Sequence, residues 1–190
     1  KIMGTTTFSG PVRSENGFQT VSKNTTTGAI TVTSGDKMAV EATGGAGIEG
    51  TAAVYITQVN RLKSDVTTNV NIVKTTIMID LTGLKDGGTA GDIIGKDGAG
   101  VAFIGQVTTA NQGTVFGVTM TCVETPAGGS TDIDLFSATE GTGVNDTAIG
   151  DLTETQIINA GAASAGTVVA GGDIAADQFL YLVSQGTGDA

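Results

Sequence analysis

From Ala52 onward the chain is cut into apolar runs of strand length, and the cuts come too often for helices to fit between most of them. AAVYITQV, NVNIVKTTIMIDL, VAFIGQV, VFGVTMTCV, TDIDLF, GTVVAG and QFLYLVS follow one another. The stretches between them are rich in Gly, Asp and Asn, which supply the left-handed and side-chain-bonded conformations that strand connections need. Several runs alternate with period two. Ile77, Ile79 and Leu81 share one face of the second run, while Val101, Phe103 and Val107 lie on one side of VAFIGQV and Ala102 and Ile104 on the other. Such a pattern predicts an all-β protein: an antiparallel β-sandwich or jelly-roll-like domain, with a barrel as the related solution. No fixed-period repeat is present, which argues against a solenoid or propeller.

One segment is ambiguous. DTAIGDLTETQIINAG, residues 146 to 161, offers Asp151 with Glu154 or Thr153 with Gln156 as a capping box and Gly161 as a helix stop. Its Ile157-Ile158 pair suits a strand equally well.

Residues 1 to 50 have a different texture. GTTTFSGPVRSENGFQTVSKNTTTGAITVTSG consists of short β-prone pieces broken by Gly, Pro and Asn-Gly, with Phe8 and Phe18 isolated among polar neighbours. A segment this polar buries too little apolar area to fold alone. The expected organisation is therefore an extended, partly β N-terminal arm over 1–50, anchored on another surface by the two Phe, and a sandwich domain over 51–190; a flexible leader is the plainer alternative. At the other end QFLYLVS runs into Gln185-Gly-Thr-Gly-Asp-Ala190. That tail reads as a frayed end, or as a turn toward a strand supplied from elsewhere.

The core must be made of small side chains, because the chain has no Trp and aromatics are 4% of it, whereas Gly supplies 30 of 190 residues. Small apolar side chains bury less area each, at roughly 25 cal/mol per Å², and Gly loses more backbone entropy on folding than other residues. Association with copies or partners that bind only the folded form would add stability.

Gly45-Ala46-Gly47-Ile48-Glu49-Gly50 has the spacing of a dinucleotide-binding turn. At this glycine content, roughly 0.7 such matches arise by chance in a chain of this length. The motif also requires a following helix, and an acid about 20 residues on for the ribose. Val54, Ile56, Thr57 and Val59 favour a strand instead, and Asp65 comes too early. The run is expected to connect two strands.

Other sites of chemistry fare no better. Gly91-Asp-Ile-Ile-Gly95-Lys96-Asp97 has three residues between its glycines and Asp after Lys, so it fails as a phosphate loop. Asp132 and Asp134 resemble the start of a calcium loop, but Phe136 stands where a third oxygen belongs. As strand residues they share a face, expected to be solvated. Cys122 alternates with Met120 and Val118 and is expected to be a buried apolar thiol. A single Cys forms no internal disulfide, and the absence of His removes the usual zinc sets and the base that titrates near neutrality. No catalytic residue, cofactor or metal ligand is assigned, and the chain is expected not to be an enzyme. No apolar run is long enough to span a membrane, and since Lys1-Ile2-Met3-Gly4 leads straight into polar residues, no secretion signal is expected.

Charge is partitioned along the chain. All nine cations lie at or before Lys96, where eight acids nearly cancel them; residues 97 to 190 carry eleven acids and no Lys or Arg, giving the net −10. An unrelieved negative half repels phosphate backbones and anionic membranes, so neither nucleic acid nor membrane is an expected partner. Like charge of this kind also keeps a surface solvated.

Taken together, GTTTFSGPVRSENGF, TIMIDLTGL, VAFIGQV, TMTCVETPAGGSTDIDLF and FLYLVSQG resemble virion structural proteins of tailed bacteriophages, particularly marine ones, and within them head decoration (cement) proteins. The resemblance implies a β-rich protein bound in many copies to the outer capsid surface, where it clamps neighbouring capsomers. Its partners would be the major capsid protein and further copies of itself, as trimers in preference to dimers. On that reading Lys1, Phe8, Arg13 and Phe18 contact the shell and the acidic domain faces solvent. A tail or fibre component, including a receptor-binding tip, and a bacterial surface or filament subunit are the alternatives.

Overall fold

A computed structural model describes residues 20–23, 30–34, 40–41, 44–48, 52–62 and 70–186. The chain divides into two compact units, residues 1–38 and 39–190. In the first, β1 (Thr20–Lys23) pairs antiparallel with β2 (Ile30–Ser34), with an irregularity between Thr20 and Val21.

The second unit is all-β, antiparallel and sandwich-like, as the alternating runs predict. Its first sheet has the order β3-β4-β5, from Val40–Glu41, Ala52–Leu62 and Val70–Ile79. A four-stranded sheet has the order β6-β11-β8-β9, from Gly105–Gln106, Phe179–Ser184, Ile133–Ala138 and Glu154–Ile158. A two-stranded ribbon joins β7 (Val118–Thr121) to β10 (Val168–Gly171). Every one of these pairings is antiparallel. Helical structure is confined, among the described residues, to a single turn, α1 (Thr109–Gln112), and a 3-10 turn at Ile149–Asp151. Among the described residues no helix is long and apolar enough to cross a membrane.

Strands β8 and β11 form the centre. Both are buried from their second residue onward without alternation, the pattern of strands covered on both faces. Tyr181 and Val183 are fully buried, together with Ile93, Ala102 and Ile158. Ile77, Ile79 and Leu81 pack partly buried against this core, as do Val118, Met120 and Val169 of the ribbon. Tyr181 also meets its polar requirement inside: its hydroxyl donates to the Glu140 carbonyl at 2.8 Å and accepts from the Gly143 N–H at 3.2 Å. Among the few aromatics, Phe103 and Phe179 meet edge to face at 5.0 Å.

One sequence ambiguity is resolved and two expectations change in the fold. The ambiguous segment 146–161 is not a helix: after the 3-10 turn it becomes β9, because Ile158 is buried opposite Leu135 and the backbone is taken up by the β8 ladder. VAFIGQV contributes only a two-residue strand, because its backbone donors go to several segments in turn. Ala102 N–H bonds the Gly143 carbonyl, Ile104 the Leu180 carbonyl and Val107 the Gln178 carbonyl. Ala102 and Ile104 form its buried side, while Val101 and Phe103 are half-buried and Val107 is buried as well. The outer side of β11 is shared: β6 takes Phe179 and Leu180, and the segment around Ile93 takes its far end through Ile93 and Val183. The second change is the burial of Asp134, expected to be solvated.

Candidate functional site

The glycine run behaves as a strand connection. Residues 44–48 form a turn between β3 and β4, and its donors point into protein: Gly45 N–H bonds the Phe103 carbonyl at 2.8 Å and Gly47 N–H the Val101 carbonyl at 2.7 Å. A phosphate-binding turn needs those N–H groups free for the ligand. Here the glycines are required for close approach, since a Cβ on Gly47 would lie 2.8 Å from the Gly100 carbonyl oxygen. The next element is strand β4, starting at Ala52, where the motif would need a helix. The near-miss phosphate loop is likewise built into the sheet: Ile93 and Ile94 are buried, and the Ile94 N–H bonds the Leu182 carbonyl.

The carboxylates of Asp132 and Asp134 have unequal fates. Contrary to the expectation of a solvated pair, Asp134 is fully buried. Its Oδ2 accepts from Gln156 Nε2 at 2.6 Å and its Oδ1 from the Ala160 N–H at 2.7 Å. A register shift between Leu135 and Phe136 sets Phe136 against Gln156 and Leu135 against Ile158, one residue of β9 being left over. The carboxylate thus crosslinks β8 to β9 and the chain leaving it. Asp132 is only partly buried, yet its Oδ1 is enclosed and has no hydrogen-bond partner. Burial first, and then the neighbouring Asp134 carboxylate, hold its carboxyl above the ordinary range.

That direction sets the sign of the pH dependence. A folded value above the unfolded 3.8 means that this group's contribution to stability is complete below pH 3.8 and is lost as pH rises through the folded value. Asp132→Asn is therefore expected to stabilise the protein at neutral pH, by less than about 1 kcal/mol, with an advantage over the parent that vanishes toward pH 3.8. Urea unfolding at a series of pH values checks this; an advantage that grows in acid would refute it. The comparison with the parent matters because Glu140 runs the other way. Hydrogen bonds from the Thr153 hydroxyl and N–H hold its carboxyl low, so its contribution is lost as pH falls.

A second polar group braces the end of β11. Asp86 Oδ2 accepts from the Ser130 N–H at 3.2 Å and the Ser184 hydroxyl at 3.3 Å, while Ser130 Oγ accepts from the Asp132 and Gly186 N–H groups at 3.1 Å each. Beside it lies a hollow of about 120 Å³ bounded by Leu81, Leu84, Ile94 and Pro126, well below the volume of roughly 300 Å³ at which small-molecule sites begin. A larger open depression of about 410 Å³ is lined by hydroxyls with Glu154 and Asp173. Its lining includes no cation to hold an anionic ligand. Among the described residues no three His, Cys, Asp or Glu side chains gather so as to hold a metal ion.

Cys122 continues the inward face of β7 with Val118 and Met120 but is half-buried rather than buried, and its thiol donates to the Glu124 carbonyl at 3.1 Å. Val118 and Met120 on the same face are half-buried too, since the two-stranded ribbon lies at the margin of the core. Sequence reasoning also passed over the outer face of the ribbon. Thr119, Thr121, Val123, Val168 and Ala170 are all exposed there and none is charged, and alternation about the inward Val118, Met120 and Val169 was the available signal. Lys1, Phe8, Arg13 and Phe18, the residues assigned to shell contact, lie outside the described residues, as do Glu49, Gly50 and the tail beyond Gly186. No family model, curated protein or solved structure matches this chain.

Proposed function

We propose that this chain is a non-enzymatic structural protein of a phage virion: a head decoration, or cement, protein that coats the outer capsid surface in many copies and stabilises contacts between capsomers. The observation that carries this reading is the partition of charge. Residues 97–190 hold eleven acids without a cation, which suits a surface turned to solvent and away from DNA. The nearly neutral N-terminal part, with Lys1, Phe8, Arg13 and Phe18, then meets the major capsid protein. The resemblance to tailed-phage virion proteins supports the same role, and so does a body whose buried polar groups brace its own strands.

The mechanism is linkage. A ligand that binds assembled shell better than separated subunits stabilises the shell by its differential affinity. Self-association of the copies strengthens this through effective concentration. Removing residues 1–38, the N-terminal compact unit, is expected to abolish head occupancy while the remainder keeps its β-sheet circular dichroism. Electron microscopy of heads incubated with the truncated protein tests it, and unaltered occupancy would overturn the assignment of shell contact to the N-terminal part.

A further inference from the structure

Strand β7 has a bare edge. Among the described strands it pairs with β10 alone, so the peptide groups on its far side have no ladder partner among the described residues. Proteins usually guard such an edge with a charge, a proline, a bulge or a cover, because an unguarded edge templates pairing with another chain. The other edges of the second unit are guarded or too short to matter. β5 carries Lys74, and β3 and β6 have two residues each. β9 carries Glu154, with β10 so close that a Cβ on Gly171 would lie 2.5 Å from the Ile157 carbonyl oxygen.

Among the described residues none of these guards protects β7. Gly117-Val-Thr-Met-Thr-Cys-Val123 contains no charge and no proline. Its register with β10 runs without a shift from the Val115–Ile174 bridge through Val118–Gly171 to Thr121–Val168. The outward face is uncharged, with Val123 82% and Val168 61% exposed, in the half of the chain that has only acids.

We propose that β7 pairs antiparallel with β7 of a second copy across a two-fold axis at Met120, joining two ribbons into one four-stranded sheet. This register sets Thr119 opposite Thr121 of the second copy, twice, and Val118 opposite Cys122, twice; such hydroxyl and apolar cross-strand pairs are favourable. Glu124 falls opposite Phe116, which is 78% exposed, so no carboxylate meets a carboxylate. A two-fold contact elsewhere on residues 97–190 has no cation in that half to relieve its acids. The self-complementary register, which brings no acid against an acid in a half that has acids only, selects a second copy as the occupant and a two-fold in place of the three-fold expected from the sequence. The inference rests on the self-association of the proposed function and narrows it; its test uses purified full-length protein without heads, so it fails or succeeds separately from the shell-binding reading.

Sedimentation equilibrium of the wild type should give dimers. Combining Thr119→Lys with Thr121→Lys places like charges directly opposite at two points and should raise the dissociation constant about tenfold or more. Combining Thr119→Lys with Thr121→Glu places opposite charges there and should restore dimers. Both variants alter exposed positions, and the second controls for damage to the ribbon. A wild type that is monomeric or holds an odd number of chains overturns the proposal, as does equal behaviour of the two double variants.

Discussion

Asp134→Ala is expected to lower the unfolding free energy by about 3 kcal/mol. The substitution removes the acceptor of both the Gln156 Nε2 and Ala160 N–H bonds; Gln156 is exposed and can turn to water, so the loss falls mainly on the half-buried Ala160 N–H and on the space left where Asp134 was fully enclosed. Both bonds tie β8 to β9 and the residues leaving it, so their loss also frees an edge of the central sheet. The neighbouring Asp132→Asn carries the opposite sign at neutral pH. Two acids two residues apart in the chain therefore separate a carboxylate that holds the fold from one that the fold merely tolerates. Urea unfolding followed by circular dichroism measures both, and a loss below about 1 kcal/mol for Asp134→Ala would mean that the crosslink contributes little.

Gly45→Ala is expected to cost about 2 kcal/mol or more. The added methyl would land on the Val101 carbonyl oxygen, a backbone atom that no side-chain rotation moves aside. Gly172→Ala provides the contrast, since open space surrounds that position, and its effect should stay within about 0.5 kcal/mol. Thermal unfolding of the two variants decides between close packing and ligand binding as the reason for a glycine at position 45. Nicotinamide or adenine nucleotides should leave the parent's melting temperature unchanged; a saturable rise that Gly45→Ala abolishes would restore the nucleotide reading.

The strand identities were legible wherever local pattern and tertiary fate coincide. The runs around Ile77, Leu135 and Tyr181 are long, apolar and bounded by turn residues, and each became a strand. β9 was ambiguous because ETQII satisfies capping spacing and strand propensity alike, and the deciding contact, Ile158 on Leu135, spans more than twenty residues. The burial of Asp134 was hidden for the same reason. Its acceptors are filled by Gln156 and Ala160, which no window around TDIDLF contains. Cys122 lies on the expected face, but full burial failed because that whole face of β7, Val118 and Met120 included, is only half covered. The bare edge of β7 lies in a stretch, residues 98–123, that carries no charge, yet only the sheet order reveals that it stands at a margin.

The placement of β11 between β6 and β8 sets the order in which the molecule can be made. A nascent chain that has emerged only as far as β10 holds β8 with its partner on one flank and nothing on the other, and the segment around Ile93 waits for the same missing strand. Closure is then a single late event that inserts Phe179–Ser184 into a prepared slot, the kind of long-range pairing that slows folding. Until it occurs, the core positions that β11 packs against are open to every other chain on the polysome.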